Sequence, residues 1–449
     1  MKKASPKIFL LAGEASGDTY GAALMQALRE QVPIISFIGA GGPKMKAAAS
    51  PSEQPNEEKP LLQRQPLSTT QYKPVVKFAN TDEWQEVDST QPRSVHKVLD
   101  EANTVTMQPF AAAIEFNKSF DNWIHEAGVV GLWDVLKKYG YFRAKFSQFL
   151  KQLEEEKPAA IILIDYPGFN LRLAKAIRRR KLPLKIFYYI SPQVWAWHKS
   201  RIPKMACLLD LMICIFPFEQ ELYESSGLPT AFVGHPLVET IMAAKKENAP
   251  LTRKKNLLGL FPGSREREVH RLFPTMIQAA KQVVTMHPEI SCEAAAATSA
   301  HAIIMQEMAR SADLPITITV GKARELMQHA TFGLVCSGTA TLEAACYGLP
   351  YALVYKVAWL TYVVGRQLIR VPFLGIINIL AGRRVVREFI QHEATAEALA
   401  QEALYFLRDL QACEKLTQEL STVVSLLHGE GAYDRAAATM IEDLKNREN

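Results

Sequence analysis

The sequence predicts an α/β fold: two Rossmann-like, doubly wound parallel-sheet domains facing a deep cleft, followed by C-terminal helices. Three observations carry that reading. At 449 residues the chain is too long for one core, so two domains of roughly 200 residues are expected. Apolar strand-like runs alternate with helical patterns, which implies parallel strands joined by crossovers. The alternation stops in the polar, basic stretch "ETIMAAKKENAPLTRKK" (Glu239–Lys255), a candidate linker, and then restarts. The domains are expected at 1–240 and 241–449.

The elements follow in order. Lys7 to Ala12 reads as a first strand, Gly13 to Asp18 as a turn and Thr19 to Arg29 as a helix. Ile34–Ile38 is a second strand, ending in the glycine-rich "GAGGPKM". About 50–124 is an atypical insertion or variable segment, rich in Pro, Gln, Ser and Glu as far as Val95, a loop-like composition. "VVGLWDVLKKYGYFRAKFSQFLKQLEEEKP" then has helical spacing. Strands are expected at Ala160–Ile164, Lys185–Ile190, Leu211–Ile215 and Ala231–Val233. After the linker they fall at Asn256–Phe261, Cys292–Ala296, Ile316–Val320, Phe332–Val335 and Tyr351–Val354. Beyond Thr395 the chain reads as helical.

Composition narrows the class. Hydrophobic residues make up 48% and charged residues 22%, as in folded globular proteins. Six cysteines are scattered with no CxxC pair, which suits buried thiols in a reducing compartment. The apolar run Ile8–Ala12 is too short for a signal peptide. No stretch of about 18 uncharged apolar residues offers a membrane span. A cytoplasmic protein, resting on a membrane at most, is expected. There is no G-x-x-x-x-G-K-[ST], and "GAGGPK" does not complete G-x-G-x-x-G.

Several turns are suited to chemistry. "AAIILIDYPGFNLRLAKAIRRR" runs an apolar strand into Asp165, and the carboxyl ends of such strands line the ligand crevice. Asp165 is therefore a crevice carboxylate or a helix cap. "LGLFPGSREREVHRL" puts Gly263, Ser264 and Arg265 between a strand and a helix. Backbone N–H groups at a helix N-terminus beside a guanidinium suit a diphosphate; the alternative is an N-cap serine with a solvated arginine. "GLVCSGTATLEAACYGLP" repeats the design with Ser337, Gly338 and Thr339. Glu343 lies one turn into that helix, where it could hold ribose hydroxyls or stand exposed. "GEASGD" places Glu14, Ser16 and Asp18 at the first strand's end, as acceptor ligands or as caps. Trp195 and Trp197 offer aromatic faces to sugars or acyl chains, or pack on the core.

In register, "AGEASGD", "GGPKM", "GLWDVL", "IDYPGFN", "SPQVWAW", "FPFE", "FVGHPL", "PGSRERE", "SGTATLEA" and "NILAGR" resemble the lipid-A-disaccharide synthases over nearly the whole chain except about Ser50–Ile124. The resemblance implies the GT-B glycosyltransferase fold. It implies joining UDP-2,3-diacylglucosamine to 2,3-diacylglucosamine 1-phosphate, with release of UDP. Asp165 corresponds to the family's strand-tip aspartate, while Gly168 stands where the family has a second one. Asp134 stands where the family often has Glu, and Asn378 becomes a candidate for nucleotide or phosphate binding.

An inverting transfer needs a base for the attacking hydroxyl, and Asp165 is the candidate. Negative charge on the leaving diphosphate needs fixed donors, expected from Arg265 and the Ser337–Thr339 turn. No cofactor or metal is expected, and no nucleic acid; an oligomer is left open. A UDP-sugar 2-epimerase of the same fold and a non-catalytic UDP-sugar or lipid-binding protein are the rival readings. Both substrates carry acyl chains, so an anionic membrane surface is an expected partner, at the inner face of the inner membrane. The acid-free stretch Tyr351–Arg387 is the expected contact, with Arg178-Arg179-Arg180-Lys181 as a second patch.

Overall fold

The computed structural model describes residues 6–50, 75–77, 84–86, 120–124, 139–197, 199–247, 251–359, 362, 365–366 and 371–446. It contains two compact units, one formed by Met1–Ala49 with Ser119–Asn449, the other by Ser50–Lys118. Strands are numbered along the chain. After β1 (Lys7–Ala12) and β2 (Ser36–Gly41) of the larger unit, the smaller unit holds β3 (Val75–Lys77) and β4 (Trp84–Glu86). These two pair antiparallel, with Val75 opposite Glu86.

The larger unit carries both expected sheets. The first adds β5 (Phe120–Asn122), β6 (Ala160–Ile164), β7 (Lys185–Tyr189), β8 (Leu211–Cys214) and β9 (Thr230–Phe232), in the order β5-β2-β1-β6-β7-β8-β9. The second contains β10 (Leu257–Phe261), β11 (Ser291–Ala296), β12 (Thr317–Val320), β13 (Phe332–Cys336), β14 (Tyr351–Tyr355) and β15 (Glu388–Ile390), in the order β12-β11-β10-β13-β14-β15. Every pairing in both sheets is parallel. Helices cover parallel sheets on both faces, so central strands read as unbroken apolar runs. In β6, "AIILI", all five residues are buried. This is the GT-B arrangement. One apolar cluster runs from Leu10 and Ile164 in the first sheet to Val335 and Leu353 in the second.

Three features differ from the sequence reading. β5 belongs to the first sheet, so part of that sheet lies within the segment expected to be atypical. The expected linker is half helix, since Pro236–Glu247 is helical. The last helix, Ala432–Lys445, packs on the first, Ala15–Gln31, although it was assigned to the second domain. Gln31 donates to the Asp434 carbonyl at 3.0 Å, and Lys185 meets Asp443 at 3.0 Å. Arg435 anchors the crossing by donating to the carbonyls of Val233, His428 and Glu430 at 2.9, 2.8 and 2.6 Å.

Candidate functional site

The carboxyl ends of β1 and β6 are neighbours, because Ala12 pairs with Ile164. Behind them lies an aromatic cluster. Trp123 is fully buried and donates to the Ala12 carbonyl at 2.7 Å, with Tyr166, Phe142, Phe149 and Phe169 edge-on around it. The Tyr166 ring lies so close to Gly13 that a Cβ there would come within 2.4 Å of it. Only glycine lets the two turns approach in this way.

Asp165 follows β6 directly. It and Tyr166 both adopt the left-handed conformation, at φ 45° and 48°. Non-glycine residues take that region at a cost and persist there only when surroundings hold them. The Asp165 N–H donates to the Tyr189 carbonyl at 3.0 Å. Its carbonyl accepts from the Tyr188 hydroxyl at 2.6 Å and from Asn170 Nδ2 at 2.7 Å. Burial, then the nearby Glu14 carboxylate, push the Asp165 pKa up to about 6, against a lowering hydrogen bond from the Tyr166 N–H. Glu14 and Ser16 are exposed beside it.

Asp18 has a different role from the one expected. It is 4% exposed. Its Oδ1 accepts from the N–H groups of Gly42 and Met45, both at 2.9 Å, and its Oδ2 from that of Lys44 at 3.1 Å. It caps the helix Pro43–Ala49 and leaves the acceptor site. Trp195 is also structural: buried, its Nε1 donates to Glu219 at 2.9 Å. Glu219, fully buried, accepts as well from Ser191 and from the Phe216 N–H. Burial lifts its pKa to about 7, against the hydrogen bonds. It ties "SPQVW" to "FPFE", a role its place in the second motif hid. Asp134 and the Trp197 side chain lie outside the described residues.

In the second sheet, β10 and β13 are adjacent, so their two strand-to-helix turns stand side by side. Gly263 has φ 114° and rests on Glu268, where a Cβ would come within 2.4 Å of Oε2. Glu268 Oε2 accepts from the N–H groups of Ser264 and Arg265 at 3.1 and 3.2 Å, and its Oε1 from Arg265 Nη1 at 3.0 Å. The donors expected to meet a diphosphate thus already hold an anion, supplied by the chain itself. The Arg265 side chain is 68% exposed. The neighbouring turn is open: Gly338 and Thr339 are exposed at the start of the helix Thr339–Cys346, where a helix has N–H groups to spare, although that of Thr341 donates to the Gly338 carbonyl at 3.1 Å. Ser337 is half-buried and donates its N–H to Val354.

Glu343 on that helix pairs with Arg324, which sequence reading missed because "KAREL" has only the look of a surface helix. Asn378 is fully buried and saturated. Nδ2 donates to Val386 and Glu388, both at 2.8 Å, while Oδ1 accepts from the N–H groups of Val385 and Val386 at 2.7 and 3.0 Å. That removes it from the nucleotide site. Tyr20, on the first helix, links the two sheets: its phenol pKa is raised by burial, then by Glu343, is lowered by Arg324, and is raised further by Asp165. Asp165 at the tip of β6 and the Glu343–Arg324 pair therefore act electrostatically on one phenol.

Among the described residues no group of three or more His, Cys, Asp or Glu is arranged to hold a metal ion. No helix among them is long and apolar enough to cross a membrane.

Comparison with known proteins gives a family. The family model described as "Lipid-A-disaccharide synthetase" matches residues 8–53 and 114–441. A lipid-A-disaccharide synthase of Trichlorobacter lovleyi is 33% identical over 440 residues, covering 97% of each chain. One of Geobacter metallireducens is 34% identical over 444 residues, covering 98% of this chain and 97% of the other. Among solved structures, a putative UDP-N-acetylglucosamine 2-epimerase from Listeria monocytogenes has a TM-score of 0.56 at 11% identity, covering 99% of this chain and 98% of that one. At that identity only the fold is shared.

Proposed function

The chain belongs to the lipid-A-disaccharide synthetase family, and from that premise we propose that it transfers the sugar of UDP-2,3-diacylglucosamine to 2,3-diacylglucosamine 1-phosphate with Asp165 as general base. The enzyme makes the lipid A disaccharide. An acceptor hydroxyl oxygen bonds to the anomeric carbon as the bond from that carbon to the UDP oxygen breaks. The hydroxyl proton passes to Asp165, and UDP leaves as the anion. The sugar carbon inverts.

The observation that carries this mechanism is the state of Asp165. Its carboxyl, raised to about 6, is ionised near neutrality yet basic enough to take a proton in the transition state. A carboxylate beside an oxocarbenium-like centre also favours it electrostatically. Glu14 and Ser16, exposed at the next strand tip, are our acceptor ligands. For the donor, the first-turn N–H groups after Gly338 and the Ser337 and Thr339 hydroxyls meet the diphosphate, with Gly263 and Ser264 in the adjoining turn. Arg265 swings from Glu268 to the leaving group. Glu343 takes the ribose. Fixed donors of this kind stabilise charge as it develops.

Both substrates are lipids, and we assign the enzyme to the surface of an anionic membrane, at the inner face of the inner membrane. The contact is narrower than Tyr351–Arg387. Tyr351 to Val354 are buried in β14, while Arg383 and Arg387 pair with Glu419 and Glu402. Support comes from Trp359, 72% exposed, and from Arg366 beside it, both lining an open cavity of about 590 Å³ with Arg271, Lys356, Tyr362 and His392. Half of the second patch is tied down, Arg178 to Asp210 and Arg180 to Glu154.

Radiolabelled UDP-sugar with and without the lipid acceptor tests the reaction. Disaccharide and UDP should appear only with acceptor. Interconversion of the UDP-sugar without acceptor would make the enzyme an isomerase, and binding without turnover would make it a carrier.

A further inference from the structure

Asp165 is fastened at every backbone polar group, and two of the fasteners are side chains that cannot reach a substrate. We propose that Tyr188 and Asn170 are positioning residues for the general base, gripping its carbonyl so that its carboxylate is aimed into the cleft. The proposal rests on Asp165 being the base.

The argument begins with the backbone. Two consecutive non-glycine residues, Asp165 and Tyr166, are left-handed at φ 45° and 48°. Such a pair reverts to ordinary φ unless something holds it. The strand ladder supplies one hold, the Asp165 N–H on Tyr189 at 3.0 Å, but that bond leaves the following peptide free to turn. The Asp165 carbonyl belongs to that peptide, and it receives both the Tyr188 hydroxyl at 2.6 Å and Asn170 Nδ2 at 2.7 Å. Asn170 also reaches the Ile164 carbonyl at 3.2 Å, so it spans the strand end and the turn.

Position explains why these two residues serve. Tyr188 belongs to β7, the strand beside β6, and Leu163 is its partner in the register. Its ring is fully buried and its hydroxyl comes up beneath the turn. Asn170 lies on the helix Pro167–Arg179 that the turn begins, one turn in, and is likewise fully buried. Burial and the Asp165 charge hold the Tyr188 phenol pKa well above its ordinary value, so it stays a donor at any working pH.

Turning the peptide would carry the Tyr166 N–H away from the Asp165 carboxylate and release the backbone angles that aim it. That N–H is the hydrogen bond that lowers the Asp165 pKa, while Glu14 raises it. Tyr20 also feels the Asp165 charge, together with those of Glu343 and Arg324. Loosening the grip weakens the lowering contact, so the base should become harder to deprotonate as well as misdirected.

The test uses the full chain, steady-state kinetics with both lipid substrates, UDP calorimetry and circular dichroism. Tyr188→Phe removes one hydroxyl. We expect kcat to fall about tenfold or more, as displacement of a reacting group does, with UDP affinity unchanged and the acid limb of kcat/KM moved to higher pH. In an Asp165→Asn background the same change should cost no further residual turnover, because the two act as one unit. Asn170→Ala should behave like Tyr188→Phe, and carries the test if the tyrosine variant does not fold. Wild-type kcat and pH profile in Tyr188→Phe beside an inactive Asp165→Asn would overturn the positioning proposal alone. So would equal losses in both backgrounds, or loss of the fold in both variants. Wild-type kcat in Asp165→Asn would remove the base assignment and this proposal with it.

Discussion

Arg324 holds Glu343 by a single oxygen: its Nε and Nη2 lie 3.1 and 3.0 Å from Oε1. Oε2 stays outside the pair, and the Glu343 side chain is 19% exposed. An arginine that grips one oxygen orients the carboxylate without closing it off. Glu343→Ala should then weaken UDP binding by about 1.5–3 kcal/mol, the usual loss for a charge-assisted hydrogen bond. Arg324→Ala should weaken it by less, about 1 kcal/mol, the scale of one half-exposed ion pair. Calorimetric titration with UDP reads both. Tighter binding in Arg324→Ala would mean that the arginine competes with the ribose.

Arg265→Ala should also weaken UDP binding by about 1.5–3 kcal/mol. Fold stability should change little, because the Arg265 side chain is 68% exposed and its ion pair is with Glu268, three residues on. Calorimetry beside a urea melt separates the two effects. Unchanged UDP affinity would take the diphosphate away from this turn.

Asp165→Asn should bind UDP normally and lose turnover. In the native enzyme the base must be ionised. Activity should therefore fall as pH drops through about 6, the Asp165 pKa. The pH profile of kcat/KM shows that limb directly. A limb near the ordinary carboxylate range would assign the proton to another group.

The same substitution should stabilise the fold. The native pKa of Asp165, about 6, lies above its unfolded value of about 3.9, so the folded state binds the extra proton between the two and native stability declines as pH rises through that window. Asparagine carries no charge to desolvate. Asp165→Asn should gain roughly 1–2 kcal/mol at about pH 8 and nothing at about pH 4. Denaturant melts at the two pH values decide it; an equal effect at both would point to packing.

Sedimentation with anionic vesicles tests the membrane surface. Binding should weaken as salt rises and weaken again in Trp359→Ser/Arg366→Glu, a pair exposed on the protein and far from needing burial to fold. Equal sedimentation of the folded variant and the native enzyme would move the contact elsewhere.

Central strands were legible because burial on both faces writes an unbroken apolar run, as in "AIILI" and "FGLVC". The edge strands β5, "FDN", and β15, "EFI", were not, since three residues with a polar member carry no period. Asp165 was legible as a carboxylate at a strand tip. The means of holding it was not: Tyr188 reads as one more apolar position in "KIFYY", and Asn170 as a polar spot on a helix. Asp18 and Asn378 stood in motifs that suggested ligands, but a motif does not say which polar groups a side chain's own neighbours will consume. Glu268 shows the reverse case, a surface-looking acid that covers the donors of the turn before it.

The helix Ala432–Lys445 packs against Ala15–Gln31, and Arg435 ties it to Val233. The chain thus returns from the second sheet to the first, and no single cut divides it into two self-sufficient lobes. A cut in the stretch Leu251–Lys255 would leave Ala15–Gln31 without the helix that packs on it, and would leave Ala432–Lys445 on the other piece with its partner gone. Separately produced lobes should each expose that face until the two pieces are mixed.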